Sequence, residues 1–351
     1  MSRINTKPQY DFNDVLFEPR NTTLNSRKEV CLERTFVFNE HTTWTGIPII
    51  AANMYTTGTF EVHNVLNKFK ILTAMHKFYN VDDYKKNKFD PEYLIVSTGI
   101  HDKDYDNLTS ILDTFPIKWI CIDVANGYIP NMVEFCRKVR DKYPYHIIIG
   151  GNVANALGVK LLSPYLNIIK VGIGPGSVCT TRKMTGVGIP QLSCIMDCAE
   201  ELHKYSDSLR EYGFKPKYII GDGGITCPGD VSKAFGAGAD FVMMGGAFAG
   251  HDENPGITIE KNGKSYKQFY GMSSSYAMEI HYGKKDNYRA SEGKIVEIPY
   301  KGKLEDTVNE YLGGIRSTCT YIGAKSISDI YFNTYFIVVK NQINGIYDNT
   351  L

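Results

Sequence analysis

"YIIGDGGITCPGDVSKAFGAGADFVMMGG", residues 218–246, contains one complete strand–helix–strand repeat. Two short apolar runs, 218–224 and 241–246, each end in glycine, and the apolar residues of the intervening segment 228–238 have helical spacing. Buried parallel strands have this composition, and the connection between two of them is usually a helix. This stretch therefore predicts an α/β fold built from parallel strands.

Six further runs of the same kind precede this stretch, which gives eight predicted strands. They cover residues 47–54, 71–77, 93–99, 119–127, 146–153 and 168–174. Segments with helical spacing and mixed charge, such as 59–70 and 131–142, separate most of them. Eight alternations favour a (β/α)8 TIM barrel over an open doubly wound sheet, which usually has about five or six strands. Since no Pro-, Gly- or Ser-rich linker divides the chain, we expect residues 1–351 to form a single catalytic domain.

Residues 250–303, after the eighth predicted strand, interrupt the alternation of strands and helices. This segment is polar and hairpin-like, and it is longer than a simple loop. Catalytic loops lie at the carboxyl ends of barrel strands, so an insertion there is placed to cover an active site. We expect a flap-like insertion. The alternative is a surface hairpin that serves only packing or oligomerisation.

The charge and cysteine content restrict the class of protein. The formal net charge of +1 excludes a strongly basic nucleic-acid surface. The eight cysteines are scattered without a CxxC pair, which indicates reduced thiols. The N-terminal residues resemble no signal peptide, and no apolar stretch reaches the roughly 20 residues that cross a bilayer. We expect a cytoplasmic protein with a small-molecule substrate and neither a nucleic acid nor a membrane as partner.

Glycine-rich loops follow the seventh and eighth predicted strands, at 221–230 and 244–250, where TIM barrels habitually bind phosphate. Glycine lets main-chain N–H groups converge on an oxyanion, so these loops predict a phosphate site. The alternative is that the glycines end the strands for steric reasons alone. A dinucleotide-binding Rossmann fold is excluded, because GIGPGS at 172–177 lacks the GxGxxG spacing.

Cys179 lies just after the sixth predicted strand, in the stretch GIGPGSVCTTR at 172–182. Arg182 would favour a thiolate, and Thr180 and Thr181 are placed to relay a proton. These neighbours, at the catalytic end of a barrel, favour a nucleophile over the inert, buried role of most cysteines. A metal centre has less support, because the histidines are dispersed and Cys194 with Cys198 forms only one i, i+4 pair.

Polar residues lie near the ends of five of the eight predicted strands. In a barrel they all point towards one mouth, where carboxylates and amides suit a polar ring and a sugar. Any one of them alone could instead cap its strand. They are His76, Lys77, Ser97, Thr98, Asp123, Asn126, Asn152 and Asp222.

Eight stretches that span nearly the whole chain carry a resemblance to a known family. They are YDFNDVLFEPR at 10–20, PIIAANM at 48–54, TAMHK at 73–77, CIDVANGY at 121–128, KVGIGPGSVCTTRKMTGVGIPQLS at 170–193, GDGGITCPGDVSKAFGAGADFVM at 221–243, YRASEGK at 288–294 and GGIRSTCTYIGA at 313–324. On these motifs the sequence resembles the GMP reductase family, whose relatives in one barrel superfamily are the IMP dehydrogenases.

The resemblance implies an NADPH-dependent oxidoreductase of purine salvage that converts GMP to IMP and ammonia. A cysteine thiolate, here Cys179, attacks carbon 2 of the purine, and loss of ammonia leaves a covalent thioimidate that accepts hydride. By the same implication, Thr181 and Glu292 shuttle protons for the departing amine, and Lys77 lies near the nicotinamide. Since Glu292 lies in the insertion, closure of that segment would carry a catalytic group to the base.

The resemblance also implies contacts for the nucleotide, the cofactor and a cation. Substrate contacts are implied for Asp222, Gly223, Gly224, Gly245, Gly246, Gly271, Met272, Ser273, Arg289, Ala290, Ser291 and Gly293. Cofactor contacts are implied for Ser26, Arg27, Lys77, Asp123, Val124, Ala125, Ile173, Gly174, Met272, Tyr288, Arg289, Ser317, Thr318, Cys319 and Thr320. A monovalent cation such as K⁺ is implied at Gly174, Gly176, Cys179 and Arg182. The family further implies a homotetramer.

An IMP dehydrogenase is the nearest alternative, since it oxidises IMP with NAD through the same kind of thioimidate. Three features favour the reductase. The interval between Lys77 and Tyr93 has no room for the regulatory CBS domains of most dehydrogenases. The cysteine is followed by TTR, whereas the dehydrogenases typically have Ile-Thr, and YRASEGK lacks the Arg-Tyr pair with which they activate water.

Two residues depart from the family pattern. Tyr55, in AANMYTTGTF, occupies a position where the family usually has Asp, and Asn167 replaces another common Asp. Tyr55 motivates a second alternative, a catalytically inactive protein that binds a purine nucleotide without turnover. Against it, every residue assigned to the covalent chemistry is present. Binding of GMP without consumption of NADPH would distinguish the two.

Overall fold

A closed barrel of eight parallel strands forms the centre of the computed structural model, which describes residues 4–210, 217–272, 274 and 292–340. Barrel strands follow one another in chain order, and the last pairs with the first through Val242 and Ile49. The strands up to the end of the barrel are β1 (Val15–Phe17), β2 (Arg34–Asn39), and then the eight of the barrel, β3 (Thr42–Ala51), β4 (Ile71–Ala74), β5 (Leu94–Thr98), β6 (Trp119–Asp123), β7 (Ile147–Val153), β8 (Ile168–Val171), β9 (Tyr218–Asp222) and β10 (Phe241–Met244). The predicted (β/α)8 barrel is confirmed.

Helices connect the strands, and local sequence fixes where several of them begin. They are α1 (Phe60–Leu66), α2 (Val81–Lys86), α3 (Asp102–Thr114), α4 (Pro130–Lys142), α5 (Ala156–Leu162), α6 (Thr181–Thr185), α7 (Gln191–Arg210), α8 (Pro228–Gly236), α9 (Leu304–Ile322) and α10 (Ile330–Asn333). The Thr59 and Asn155 side chains accept hydrogen bonds from the first turns of α1 and α5, and a proline begins both α4 and α8. The interval between β4 and β5 holds α2 alone.

Aromatic side chains fill the amino-terminal end of the barrel. β2 pairs antiparallel with β3 and places Phe36 opposite Trp44. The Phe36 ring stacks on Phe241 with centroids 4.2 Å apart, and Trp44 meets Trp119 edge-on at 5.6 Å. All four side chains are buried. Because this end is filled, a ligand reaches the barrel only from the carboxyl ends of the strands.

The predicted strands are correct in number and order but too long at their carboxyl ends. β6 ends at Asp123 and β8 at Val171, whereas the predictions extended to 127 and 174. Gly172 adopts a φ of +138°, which L residues with a side chain rarely adopt, so extended geometry stops there. The residues beyond these ends form the loops of the site.

The insertion after β10 contains a three-stranded antiparallel sheet. Its strands are β11 (Thr258–Lys261), β12 (Lys264–Tyr270) and β13 (Ile295–Pro299). Lys267 fastens this sheet to the barrel, because its buried ammonium donates to the carbonyl oxygens of His251 at 2.7 Å and Asn254 at 2.8 Å. Residues 275–291 lie outside the described residues. The flap-like role of the insertion therefore stays a prediction.

The chain after the insertion returns to its beginning. β14 (Phe336–Val338) pairs antiparallel with β1, so that Leu16 lies opposite Ile337. In the part of the chain that the structure describes, we find no helix with both the length and the apolar composition that a membrane span requires.

Candidate active site

A cleft of about 370 Å³ opens at the carboxyl ends of the barrel strands. The loops after several strands contribute to it, and the insertion closes one side with Gly271, Met272 and Glu292, which lie at one end of its sheet, after β12 and before β13. Fourteen of the predicted site residues line it, namely Lys77, Asp123, Val124, Ala125, Ile173, Gly174, Gly176, Cys179, Thr181, Asp222, Gly223, Gly271, Met272 and Glu292. The fold therefore brings the predicted nucleophile, its proton relay and parts of both predicted binding sites into one cleft.

A hydrogen-bonded chain joins Cys179, Thr181 and Glu292. The Cys179 thiol donates to Thr181 Oγ1 at 3.2 Å, and the Thr181 hydroxyl donates to Glu292 Oε2 at 2.6 Å. Each group is partly buried, so solvent competes little for these hydrogen bonds. The arrangement can carry a proton from the sulfur to the carboxylate and back.

Main-chain pairing between the loop after β8 and the insertion holds this chain in place. Thr180 N donates to Glu292 O at 2.8 Å, and Lys294 N donates to Val178 O at 3.0 Å. Cys179 and Gly293 form an isolated antiparallel bridge. Gly293, a predicted substrate contact, therefore supports the nucleophile loop and does not line the cleft. The position of Glu292 depends on the insertion remaining paired with this loop.

Two carboxylates share one buried ammonium on the floor of the cleft. Lys170 Nζ lies 2.6 Å from Asp222 Oδ2 and 3.1 Å from Asp123 Oδ1. Asn152 Nδ2 also donates to Asp222 Oδ2 at 2.7 Å, and Asn53 Nδ2 donates to Asp123 Oδ2 at 2.8 Å. Burial by itself lowers the pKa of Lys170, but the carboxylates of Asp123 and Asp222 outweigh it, and the net shift is upward. Lys170 thus remains charged.

The glycine-rich loops predicted to bind phosphate come together beside the loop after β8. Gly223 and Gly224 adopt φ values of +84° and +81°, which favour glycine. A Cβ at Gly223 would lie 3.3 Å from Pro175, and one at Gly246 would lie 2.9 Å from Ser177 Oγ. Of these four glycines, Gly223 lines the cleft. Gly224, Gly245 and Gly246 are not among the lining residues. The absence of side chains at these glycines therefore lets the three loops approach one another closely.

Tyr55 packs against the same side of the cleft as Met272. Its main-chain N–H donates to Met272 Sδ at 3.2 Å, and its ring lies 5.1 Å from His76 and 6.1 Å from Tyr270 between centroids. Tyr55 therefore joins the loop after β3 to the end of β12 by aromatic contacts.

One group of predicted cofactor contacts lies outside this cleft. Ser26 caps an exposed 3-10 turn that contains Arg27. Ser317, Thr318, Cys319 and Thr320 lie in the last part of α9, and the turn packs against that helix. None of these residues lines the cleft of the same chain: Ser26, Arg27, Ser317, Thr318 and Thr320 form a second surface, and the Cys319 side chain is buried beneath it.

Arg182 is held by groups other than Cys179. Its guanidinium donates to the carbonyl oxygens of Ile189 at 2.7 Å and Ile173 at 3.3 Å, and Asp11 pairs with it at 3.2 Å. Arg182 thus fixes the loop after β8 to the N-terminal segment. A cation at Gly174, Gly176 and Cys179 would have to be held by main-chain carbonyls, since a guanidinium repels it. Among the described residues, no group of three or more His, Cys, Asp or Glu side chains is arranged to hold a metal ion.

Five predicted contacts lie outside the described residues: Ser273, Tyr288, Arg289, Ala290 and Ser291. The sequence reasoning missed Lys170 and Asn53 and left Asn152 without a role. Lys170 could have been found, because it is the one charged residue in the apolar run IIKVGIG at 168–174. Asn53 had no signal of its own, since its role depends on where Asp123 lies.

The chain is similar to known proteins along nearly its whole length. The family model described as IMP dehydrogenase / GMP reductase domain matches residues 9–343. GMP reductase 2 of Mus musculus is 51% identical over 357 residues, which covers 100% of each chain. GMP reductase 1 of Homo sapiens is 51% identical, over 99% of this chain and 100% of its own length. GMP reductase of Caenorhabditis elegans is 49% identical, over 99% of this chain and 96% of its own length.

Proposed function

The chain belongs to the IMP dehydrogenase / GMP reductase family, and we propose that it catalyses the NADPH-dependent reductive deamination of GMP to IMP and ammonia. The observation that carries this proposal is the hydrogen-bonded chain from the Cys179 thiol through Thr181 Oγ1 to Glu292 Oε2. It provides a nucleophile together with a group that can take up its proton and later return it. Reductive deamination needs both the nucleophile and the group that exchanges its proton.

Cys179 acts as the nucleophile. As its proton passes to Thr181 Oγ1, Thr181 gives its own hydroxyl proton to Glu292 Oε2. The sulfur then bonds to carbon 2 of the purine. Glu292, acting back through Thr181, returns the proton to the amine, and the carbon–nitrogen bond breaks to release ammonia. A thioimidate between Cys179 and the purine remains.

NADPH, when bound, supplies a hydride for carbon 2. The carbon–sulfur bond then breaks, IMP leaves with Cys179 as a thiolate, and the thiolate takes up one proton to restore the thiol. The balance is GMP, NADPH and one proton giving IMP, NADP⁺ and ammonia. Lys77 lines the cleft, where a positive charge favours the binding of the negatively charged cofactor.

Other residues of the cleft bind and orient the substrate. Asp222 uses Oδ2 for Lys170 and Asn152, and no described residue donates to its Oδ1. That oxygen can accept a hydrogen bond from a ribose hydroxyl. Gly223 and Gly224, with Gly245 and Gly246, provide the phosphate site, and Gly271 and Met272 cover the base.

The residues of this chain fit a nicotinamide cofactor on one side of the cleft. Asp123, Val124 and Ala125 line it together with Cys179, and Asn53 holds one oxygen of Asp123. Arg27 and the end of α9 lie apart, on the second surface. We propose a homotetramer in which this second surface contacts cofactor bound by a neighbouring subunit.

Two further features belong to the proposal. K⁺ would be held by the carbonyls of Gly174, Gly176 and Cys179, since main-chain carbonyl oxygens are suitable ligands for this ion.

The protein works in the cytoplasm. The eight cysteines support this location, because all of them are free thiols and Cys121, Cys136, Cys194, Cys198 and Cys319 are buried.

Loss of NADPH absorbance on addition of GMP tests the function directly. The protein should consume NADPH and release IMP and ammonia in equal amounts, and Cys179→Ala should bind GMP without consuming NADPH. Formation of NADH and XMP from IMP and NAD, without activity on GMP, would indicate a dehydrogenase. GMP binding with no turnover in either direction would indicate a nucleotide-binding protein.

A further inference from the structure

Lys170 lies beneath the floor of the cleft, between the two halves of the proposed site. It is 3% exposed, and its ammonium contacts Asp123 on β6, Asp222 on β9 and Met243 Sδ on β10. A buried lysine is costly unless it is paired, so these contacts hold the ammonium at one position.

The two carboxylates belong to different ligands in the proposed function. Asp123 lies among the residues on the cofactor side, and Asp222 lies beside the glycine-rich loops on the substrate side. Each carboxylate also has an amide partner of its own, Asn53 for Asp123 and Asn152 for Asp222. Lys170 is the partner that they share.

We propose that Lys170 is a positioning residue that prepares the cofactor side and the substrate side of the cleft together, by holding Asp123 and Asp222 as oriented carboxylates. This inference rests on the proposed function for the identity of the two ligands. Without the ammonium, two acidic groups would face one buried space. One of them would then take up a proton or turn away. A protonated carboxyl is a weaker acceptor than a carboxylate, and a carboxylate that has turned away no longer faces the ligand hydroxyl.

The geometry predicts a pattern of effects that a purely structural lysine would not give. Loss of Asn53 removes a partner of Asp123 only, and loss of Asn152 removes a partner of Asp222 only. Loss of the Lys170 charge should weaken the binding of both NADPH and GMP. Arg at this position keeps the charge and should restore binding in part, since it can still pair with both carboxylates.

The test is equilibrium binding of each ligand alone, NADPH by its fluorescence and GMP by equilibrium dialysis, in the full chain. Lys170→Met should raise both dissociation constants about tenfold or more. Asn53→Ala should raise that of NADPH, and Asn152→Ala that of GMP. Lys160→Met removes an exposed lysine that pairs with Glu201, and it should leave both dissociation constants unchanged.

Lys170→Gln and Lys170→Arg replace the methionine variant if that variant does not fold. Both keep a polar head, but only Arg keeps the charge, so Arg should bind both ligands more tightly than Gln. Equal affinities in these two variants, or an effect of Lys170 on one ligand only, would overturn the proposal. Because binding is measured without turnover, a wild-type protein that binds both ligands but does not convert GMP would contradict the proposed function and leave this inference standing.

Discussion

Thr181 Oγ1 and Glu292 Oε2 are hydrogen-bonded at 2.6 Å although their residues are 111 positions apart in the sequence. Thr181 begins α6 at the mouth of the barrel, and Glu292 lies in the insertion just before β13. The proton relay therefore exists only while the insertion is paired with the nucleophile loop. The proposed chemistry therefore depends on this pairing.

Removal of the Thr181 hydroxyl should interrupt the relay. Thr181→Val keeps the size of the side chain but can neither accept from Cys179 nor donate to Glu292, so kcat should fall about 10²- to 10³-fold. Thr181→Ser keeps the hydroxyl and should stay within about tenfold of wild type. The measurement is steady-state consumption of NADPH with GMP, together with GMP binding to each variant. A valine variant with wild-type kcat would show that the proton takes another path.

A side chain at Gly223 should weaken GMP binding. Gly223 has a φ of +84° and lines the cleft, so Gly223→Ala strains the backbone and turns the adjacent N–H groups away from the phosphate. We expect the KM for GMP to rise about tenfold. Gly263, with a φ of +71° and nothing within 4 Å of an added Cβ, is the matched control in the turn between β11 and β12. A similar rise in the KM of Gly263→Ala would contradict a local effect on the phosphate site.

Replacement of Tyr55 by the family's usual Asp should destabilise this protein. The aspartate removes the ring that stacks on His76 and Tyr270, and aromatic pairs of this kind contribute about 0.5–1.5 kcal/mol each. Tyr55→Phe keeps the ring and should be more stable than Tyr55→Asp. Thermal unfolding of both variants checks this. If Tyr55→Asp were instead more stable and several-fold more active, Tyr55 would be a defect of the site.

Acid should destabilise the fold through His63. Burial lowers the pKa of His63 from its ordinary value of 6.5 to about 4, and its Nε2 accepts a hydrogen bond from Asp90 N at 3.0 Å. Because the folded-state pKa is the lower one, the unfolded chain binds more protons below pH 6.5, and stability falls as the pH drops from about 6.5 towards 4. Between these two pH values, His63 lowers the free energy of unfolding by at most about 1.4 kcal/mol per pH unit.

Denaturant unfolding at pH 6.5 and pH 5 measures this loss. His63→Gln keeps an acceptor for Asp90 N without a titrating ring, so its free energy of unfolding should fall less over the same interval. The difference between the two proteins should be about 1–2 kcal/mol. Parallel loss of stability in wild type and variant would assign the acid sensitivity to other groups.

The amino-acid sequence by itself determined the class of fold and the main chemistry. Eight apolar runs alternating with helical segments favour a closed barrel, because an open doubly wound sheet usually has only about five or six strands. Cys179 and Thr181 are only two positions apart in the chain, so their contact followed from local sequence. The glycine-rich loops at 221–230 and 244–250 likewise follow the ends of two strands.

Only the tertiary structure decided which distant residues meet. Lys170 is a charged residue in an otherwise apolar strand, and its partners Asp123 and Asp222 are identified only when β6, β8 and β9 lie side by side. Asn53 acquires a role solely through Asp123, and Arg182 turns out to bind Asp11 and main-chain carbonyls. Ser26 and Arg27 lie on another surface from the cleft. Hydrogen bonds and charge pairs depend on distances of a few ångströms between separate elements, and barrel closure sets those distances, whereas periodicity along the chain does not.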